Sequence, residues 1–158
     1  MKVIAETTAQ VLVDDTITLP RPAEKIDEIV ARVKDLNCFV IDDKVIFQGI
    51  LHKQIFFVDT KGIVRHVGVD IPFSGFVDLP GVQAGATCRL TARIEFINFQ
   101  LLSATQLRET VVIVVSVSVT DEVNNMTVCT NTLPPQPLRF AEPNTVRVKG
   151  TGGGVVCS

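Results

Sequence analysis

The sequence predicts an all-β chain, most simply an antiparallel β-sandwich built as a single domain with a glycine-rich C-terminal tail. Three observations carry that expectation. First, 25 Val, 13 Ile and 15 Thr make 53 of the 158 residues β-branched; such side chains lose rotamer freedom in helices and suit a pleated surface. Second, several segments alternate apolar and polar residues with period two. Third, turn signals recur every 8–15 residues between those segments, the rhythm of a sandwich rather than of alternating strands and helices. A length of 158 residues fits one domain with a core of its own. The boundaries expected are a sandwich over 1–149 and a tail or connector over 150–158.

The first element is residues 3–19. Ala5, Ala9, Val11 and Val13 fall on one side and Glu6, Thr8, Gln10 and Asp14 on the other. Asp14-Asp15 reads as a break, with TITL as a short second strand ended by Pro20 and Pro22, because proline cannot continue a central ladder. Residues 24–37 are ambiguous. Ile26, Ile29, Val30, Val33 and Leu36 fit helical spacing, whereas Ile29, Ala31 and Val33 also fit a strand. The surrounding composition favours the strand.

CFVI and KVIFQGILHKQIFFV flank Asp42-Asp43 and predict a β-hairpin, with Gly49 marking a bulge or a close backbone approach. A second hairpin loop is expected at Asp59–Gly62, with Gly62 left-handed, before the strand IVRHVGV. Residues 71–85 hold two Pro and three Gly and read as a long connection with little regular ladder. Residues 87–97 alternate clearly. Cys88, Leu90, Ala92, Ile94 and Phe96 point to the core, and Thr87, Arg89, Thr91, Arg93 and Glu95 to water. Residues 110–120 are the antiparallel neighbour expected for it, across a turn near Ser103–Gln106. MTVCT, within 126–130, and VRVK, 146–149, are further short strand candidates.

Function classes narrow by charge and composition. A formal charge of -2 gives no basic footprint for a nucleic acid. The absence of Trp and Tyr weakens sugar and base platforms. The longest apolar run, Val111 to Val119, is about half of what a membrane-spanning helix needs, so no membrane span is expected. The N-terminal stretch lacks the continuous apolar core of a secretory signal, which implies synthesis in the cytosol.

Four cysteines at 38, 88, 129 and 157 are too widely spaced for zinc or CxxC chemistry. Cys38, Cys88 and Cys129 are expected as buried, reduced thiols. His52 and His66 have no Asp or Glu at a spacing that orients them, and Asp14-Asp15 and Asp42-Asp43 read as turn residues rather than calcium ligands. No catalytic residue, metal site or cofactor is predicted.

GTGGG is no phosphate loop, since neither Lys-Ser/Thr nor a helix follows it. Gly152, Gly153 and Gly154 read instead as a hinge, and Val155, Val156 and Cys157 as a small hook. A hook of this kind suits strand addition to the edge of a neighbouring copy, with Cys157 available for an intersubunit disulfide in oxidising surroundings.

The motif order carries a resemblance. QVLVDDTITLP, KIDEIVARV, IDDKVIFQGILHKQIFFVD and IPFSGFVDLPGVQAG together resemble the SPOCS domain, the spore-coat-associated domain of endospore-forming Firmicutes. The most specific pieces are Lys44–Gly49 with the FFVD after it, and Pro72–Gly85. The likeness runs over about residues 3–120. It implies a β-rich assembly module without catalytic residues, linked to spore envelope morphogenesis. Some members carry a C-terminal peptidoglycan-binding LysM domain; after residue 120 this sequence predicts only a few strands and the tail.

The resemblance also implies synthesis in the mother-cell cytosol and release at lysis, which would move the cysteines into oxidising surroundings. Together these readings predict a structural protein that is not an enzyme. It would self-assemble into a coat layer or fibre, with itself and other spore envelope proteins as partners. The alternative is a non-polymerising module that recruits another envelope protein or a glycan.

Overall fold

The structure, a computed structural model, describes residues 2–123 and 145–149. Its strands are β1 (Val3–Thr18), β2 (Ala23–Ile41), β3 (Lys44–Asp59), β4 (Val64–Asp78), β5 (Ala86–Leu101), β6 (Gln106–Val123) and β7 (Thr145–Lys149). They form two antiparallel sheets in the orders β1-β6-β5 and β4-β3-β2-β7. The inner faces share one core, so the predicted sandwich is what the chain adopts. The first six strands run 15 to 19 residues, about 50–60 Å at the rise of a β-strand and roughly three times the common strand length.

Three hairpins follow the turn chemistry. Asp43 (φ 65°) closes β2–β3, and Gly62 (φ 80°) closes β3–β4. Ser103 Oγ accepts the N–H groups of Thr105 and Gln106 in the β5–β6 turn. Two of the described connections change sheets. Residues 19–22 lead from β1 to β2, held where Leu19 and Ala23 donate their N–H groups to the carbonyls of Thr105 and Ala104. Residues 79–85 lead from β4 to β5.

The ambiguous segment 24–37 is strand. Its register against β3 shifts between Ala23 and Lys25, between Ile26 and Glu28, and between Lys34 and Asn37. Each β-bulge adds a residue and restores the inward phase three positions on rather than two. Asp35 takes a left-handed φ of 54° inside the third irregularity. Ile26, Ile29, Val33 and Leu36 all meet the core for that reason, and their helix-like spacing is the imprint of the bulges.

Three other expectations are corrected. Asp14-Asp15 does not break the first strand: β1 pairs with β6 without a shift from Ala5 to Thr18, because each acid has a basic partner. Arg108 holds Asp14 with two bonds of 3.0 and 2.7 Å, and Asp15 turns inward towards Lys53. Residues 71–78 are not loop but the second half of β4, paired with β3 throughout. Pro72 fits there because β4 is an edge strand, where a missing N–H costs no ladder bond. Phe96 is exposed rather than core, since a bulge between Ile94 and Phe96 inverts the phase and sends Ile97 inward.

The paired glycines of β3 and β4 are close-approach sites. Gly49 lies opposite Phe73 and Gly75 opposite Phe47. Each ring covers the glycine so closely that a Cβ there would sit 2.7 Å from a ring carbon. No register shift interrupts β3–β4, so at Gly49 the close approach, and not a bulge, is the reason for glycine.

Candidate functional site

The largest departure from an apolar interior lies between the sheets. Lys53 of β3 and Glu109 of β6 are both fully buried, and Lys53 Nζ donates to Glu109 Oε1 across the sandwich. Asp15 of β1 is the direct cross-strand partner of Glu109, and its Oδ2 lies 3.9 Å from the same Nζ. Around them on the inward faces are Leu51, Ile55, Leu107 and Val111, all with no exposed surface. Glu109 Oε2 has no hydrogen-bond partner. Burial pushes the Glu109 carboxyl above the usual carboxylate range, and Lys53 opposes that rise. Sequence reading missed this group. Lys53 follows His52 in a run that looks like an ordinary wet face; only strand parity, counted from Leu51 and Ile55, signals that it points inward.

The second polar group is on the outer face of the larger sheet. The β3–β4 register sets Asp70 opposite His52, with His52 Nδ1 2.5 Å from Asp70 Oδ1 and Lys34 Nζ 3.5 Å from Asp70 Oδ2. That bond to His52, followed by the Lys34 charge, lowers the Asp70 carboxyl. The expectation that no carboxylate orients either histidine is therefore corrected for His52: the acid comes from the neighbouring strand, 18 residues on. His66 instead stacks against Phe56 at 4.9 Å between ring centres.

Three further acids hold turns. Asp42 Oδ1 accepts the Ala84 N–H at 2.9 Å and Asp43 Oδ1 the Gly81 N–H at 2.7 Å, which pins the sheet-crossing segment to the β2–β3 turn. Asp59 accepts from Lys61 and Ile63 N–H and from Arg65 Nε. Arg65 first, and then those amides, hold its carboxyl at about 2. Among the described residues no group of three metal-ligating side chains gathers, and no helix is long and apolar enough to cross a membrane.

Cys38 and Cys88 are not reduced thiols. They form a disulfide between β2 of one sheet and β5 of the other, with Cα atoms 6.4 Å apart and both residues buried. The expectation failed because a bulge in β2 and the phase of β5 bring two core cysteines face to face across the sandwich. Neither spacing nor composition records that meeting.

The predicted hook, Gly152, Gly153, Gly154, Val155, Val156 and Cys157, lies outside the described residues, as do Cys129 and the MTVCT candidate. The surface that a hook or strand would seek is described. β1, β4, β5 and the five-residue β7 are sheet-edge strands. β4 is blunted by Pro72 and β5 is kinked by its bulge. β1 carries neither Pro nor Gly over its 16 residues and exposes Ile4 and Leu12.

Compared with known families, the chain matches the model described as SipL, SPOCS domain, over residues 22–102. That span holds β2 to β5 and lies within the 3–120 over which the motifs resemble the family. No curated protein and no solved structure matches the chain.

Proposed function

With just over half of its length matched, this chain belongs to the SPOCS domain family, and from that premise we propose that it is a structural protein of the spore envelope. In this role it self-assembles into a coat layer or fibre by docking a strand or tail of one subunit on the next. The observation that carries the reading is the β1 edge. A strand of 16 residues with one open side, uninterrupted by Pro or Gly, is a template for strand addition. The segment 150–158 serves as the connector, with the hinge at Gly152–Gly154 and the hook at Val155–Cys157. Head-to-tail docking that does not close on itself grows a filament.

The buried Cys38–Cys88 disulfide supports an address outside the reducing cytosol. It fits a protein released when the mother cell lyses.

Negative-stain electron microscopy of the full chain, with and without reductant, tests the proposal. Regular fibres or sheets are expected, and truncation at Gly150 should leave folded, monodisperse particles. Small particles from the full chain in both conditions would overturn self-assembly and leave the recruiting module. Undiminished assembly by the truncated chain would overturn docking through the tail.

A further inference from the structure

We propose that Lys53 and Asp15 form an intramolecular amide bond across the sandwich, with Glu109 as the catalytic residue. The reacting groups are already gathered. Lys53 Nζ is bonded to Glu109 Oε1 and lies 3.9 Å from Asp15 Oδ2, and the two acids are cross-strand partners on one sheet. The second Glu109 oxygen, fully buried and without a hydrogen-bond partner, is available to carry a proton. An ammonium and a carboxylate do not condense in water, where both charged forms are strongly solvated. The step runs instead through the neutral amine and the neutral acid. Full burial of Lys53 and Glu109 strips the amine and its proton carrier of water, and holding the partners in contact removes the entropic part of the barrier.

The step balances without an oxidant or a second substrate. Nζ attacks Cγ of Asp15 and an N–C bond forms. Glu109 takes a proton from Nζ and delivers it to the Asp15 oxygen that departs. The C–O bond breaks, one water leaves, and Glu109 returns to its starting state. Asp15 is the acceptor because its side chain is 32% exposed, which gives the water a way out, whereas Glu109 is enclosed. The bond would tie β1, the edge proposed to receive the docking segment, to the centre of the opposite sheet.

Intact-mass spectrometry of the purified full chain, denatured and reduced, tests this. The expected mass is lower than that of the sequence by one water. Trypsin should release a branched peptide joining residues 3–25 to 45–61, because an acylated Lys53 resists cleavage. Asp15→Asn should give the same amide by losing ammonia in place of water, and Asp15→Ala should keep its full mass. Glu109→Ala should also keep its full mass, and should that variant not fold, the wild-type and Asp15→Asn masses still decide. A wild-type chain at full sequence mass, or a branch that maps to Glu109 rather than Asp15, would overturn the proposal.

Discussion

Reduction of the Cys38–Cys88 bond should cost this fold about 4 kcal/mol, and the figure follows from the chain it closes. The two residues are 50 apart in sequence. In the loop-entropy treatment, opening a loop of that size returns about 14 cal/mol/K to the unfolded ensemble, or about 4 kcal/mol at room temperature. Reduction is a cleaner perturbation than substitution, since both sulfur atoms stay in the core and packing is preserved. The assay is guanidinium unfolding followed by far-UV circular dichroism, oxidised against reduced. The midpoint should fall, and the slope should rise because the reduced unfolded chain exposes more surface. The melting temperature should drop by about 8–16 °C. Both cysteines are buried, so reductant should act slowly on the native protein and quickly in denaturant. A change below about 1 kcal/mol, or fast reduction under native conditions, would refute the placement of this bond between the sheets.

Further outcomes follow from the core. Gly75→Ala should destabilise by about 1–3 kcal/mol, since its Cβ would press on the Phe47 ring. Gly68→Ala, whose nearest neighbour would be 3.9 Å away, should change stability by less than about 1 kcal/mol; thermal melts of the two variants compare them directly. In an Asp15→Ala background, where no amide can form, Lys53→Met should cost about 3–5 kcal/mol by leaving Glu109 buried without its cation, while adding Glu109→Leu should recover most of the loss in urea titrations. The Asp59 carboxyl is lowered from 3.8 to about 2, so the folded state binds fewer protons than the unfolded state between those values. Its stabilisation is complete above pH about 4 and disappears as pH falls through about 2. The stability gap between the wild type and Asp59→Asn should close over that window in acid titrations.

Local patterning made the hairpins legible. The turns at Asp42-Asp43 and Asp59–Gly62, the 87–97 alternation up to Ile94 and its pairing with 110–120 all lie in short-range residue order. The failures share one cause: information held by a neighbouring strand. Arg108 keeps Asp14 in β1, an edge position makes Pro72 harmless, and the bulges of β2 imitate a helical period. The same limit hid the candidate site. Lys53, Glu109 and Asp15 lie on three strands and two sheets, and no stretch of sequence shows them together. Lys53 is assigned no face from the sequence, although the alternation from Leu51 to Ile55 turns it inward.

The register of the smaller sheet has a mechanical consequence. Val3 pairs with Thr120, and Thr87 and Cys88 pair with Thr120 and Val119. The start of β1, the outgoing part of β6 and the disulfide-bearing start of β5 therefore share one end of the body. Tension applied at β1 and β6 there would peel their ladder one pair at a time, the weaker of the two ways to load a sheet. The sulfur bond anchors that same end to the opposite sheet through β5, so in a fibre under load the covalent clamp sits where the pull would begin.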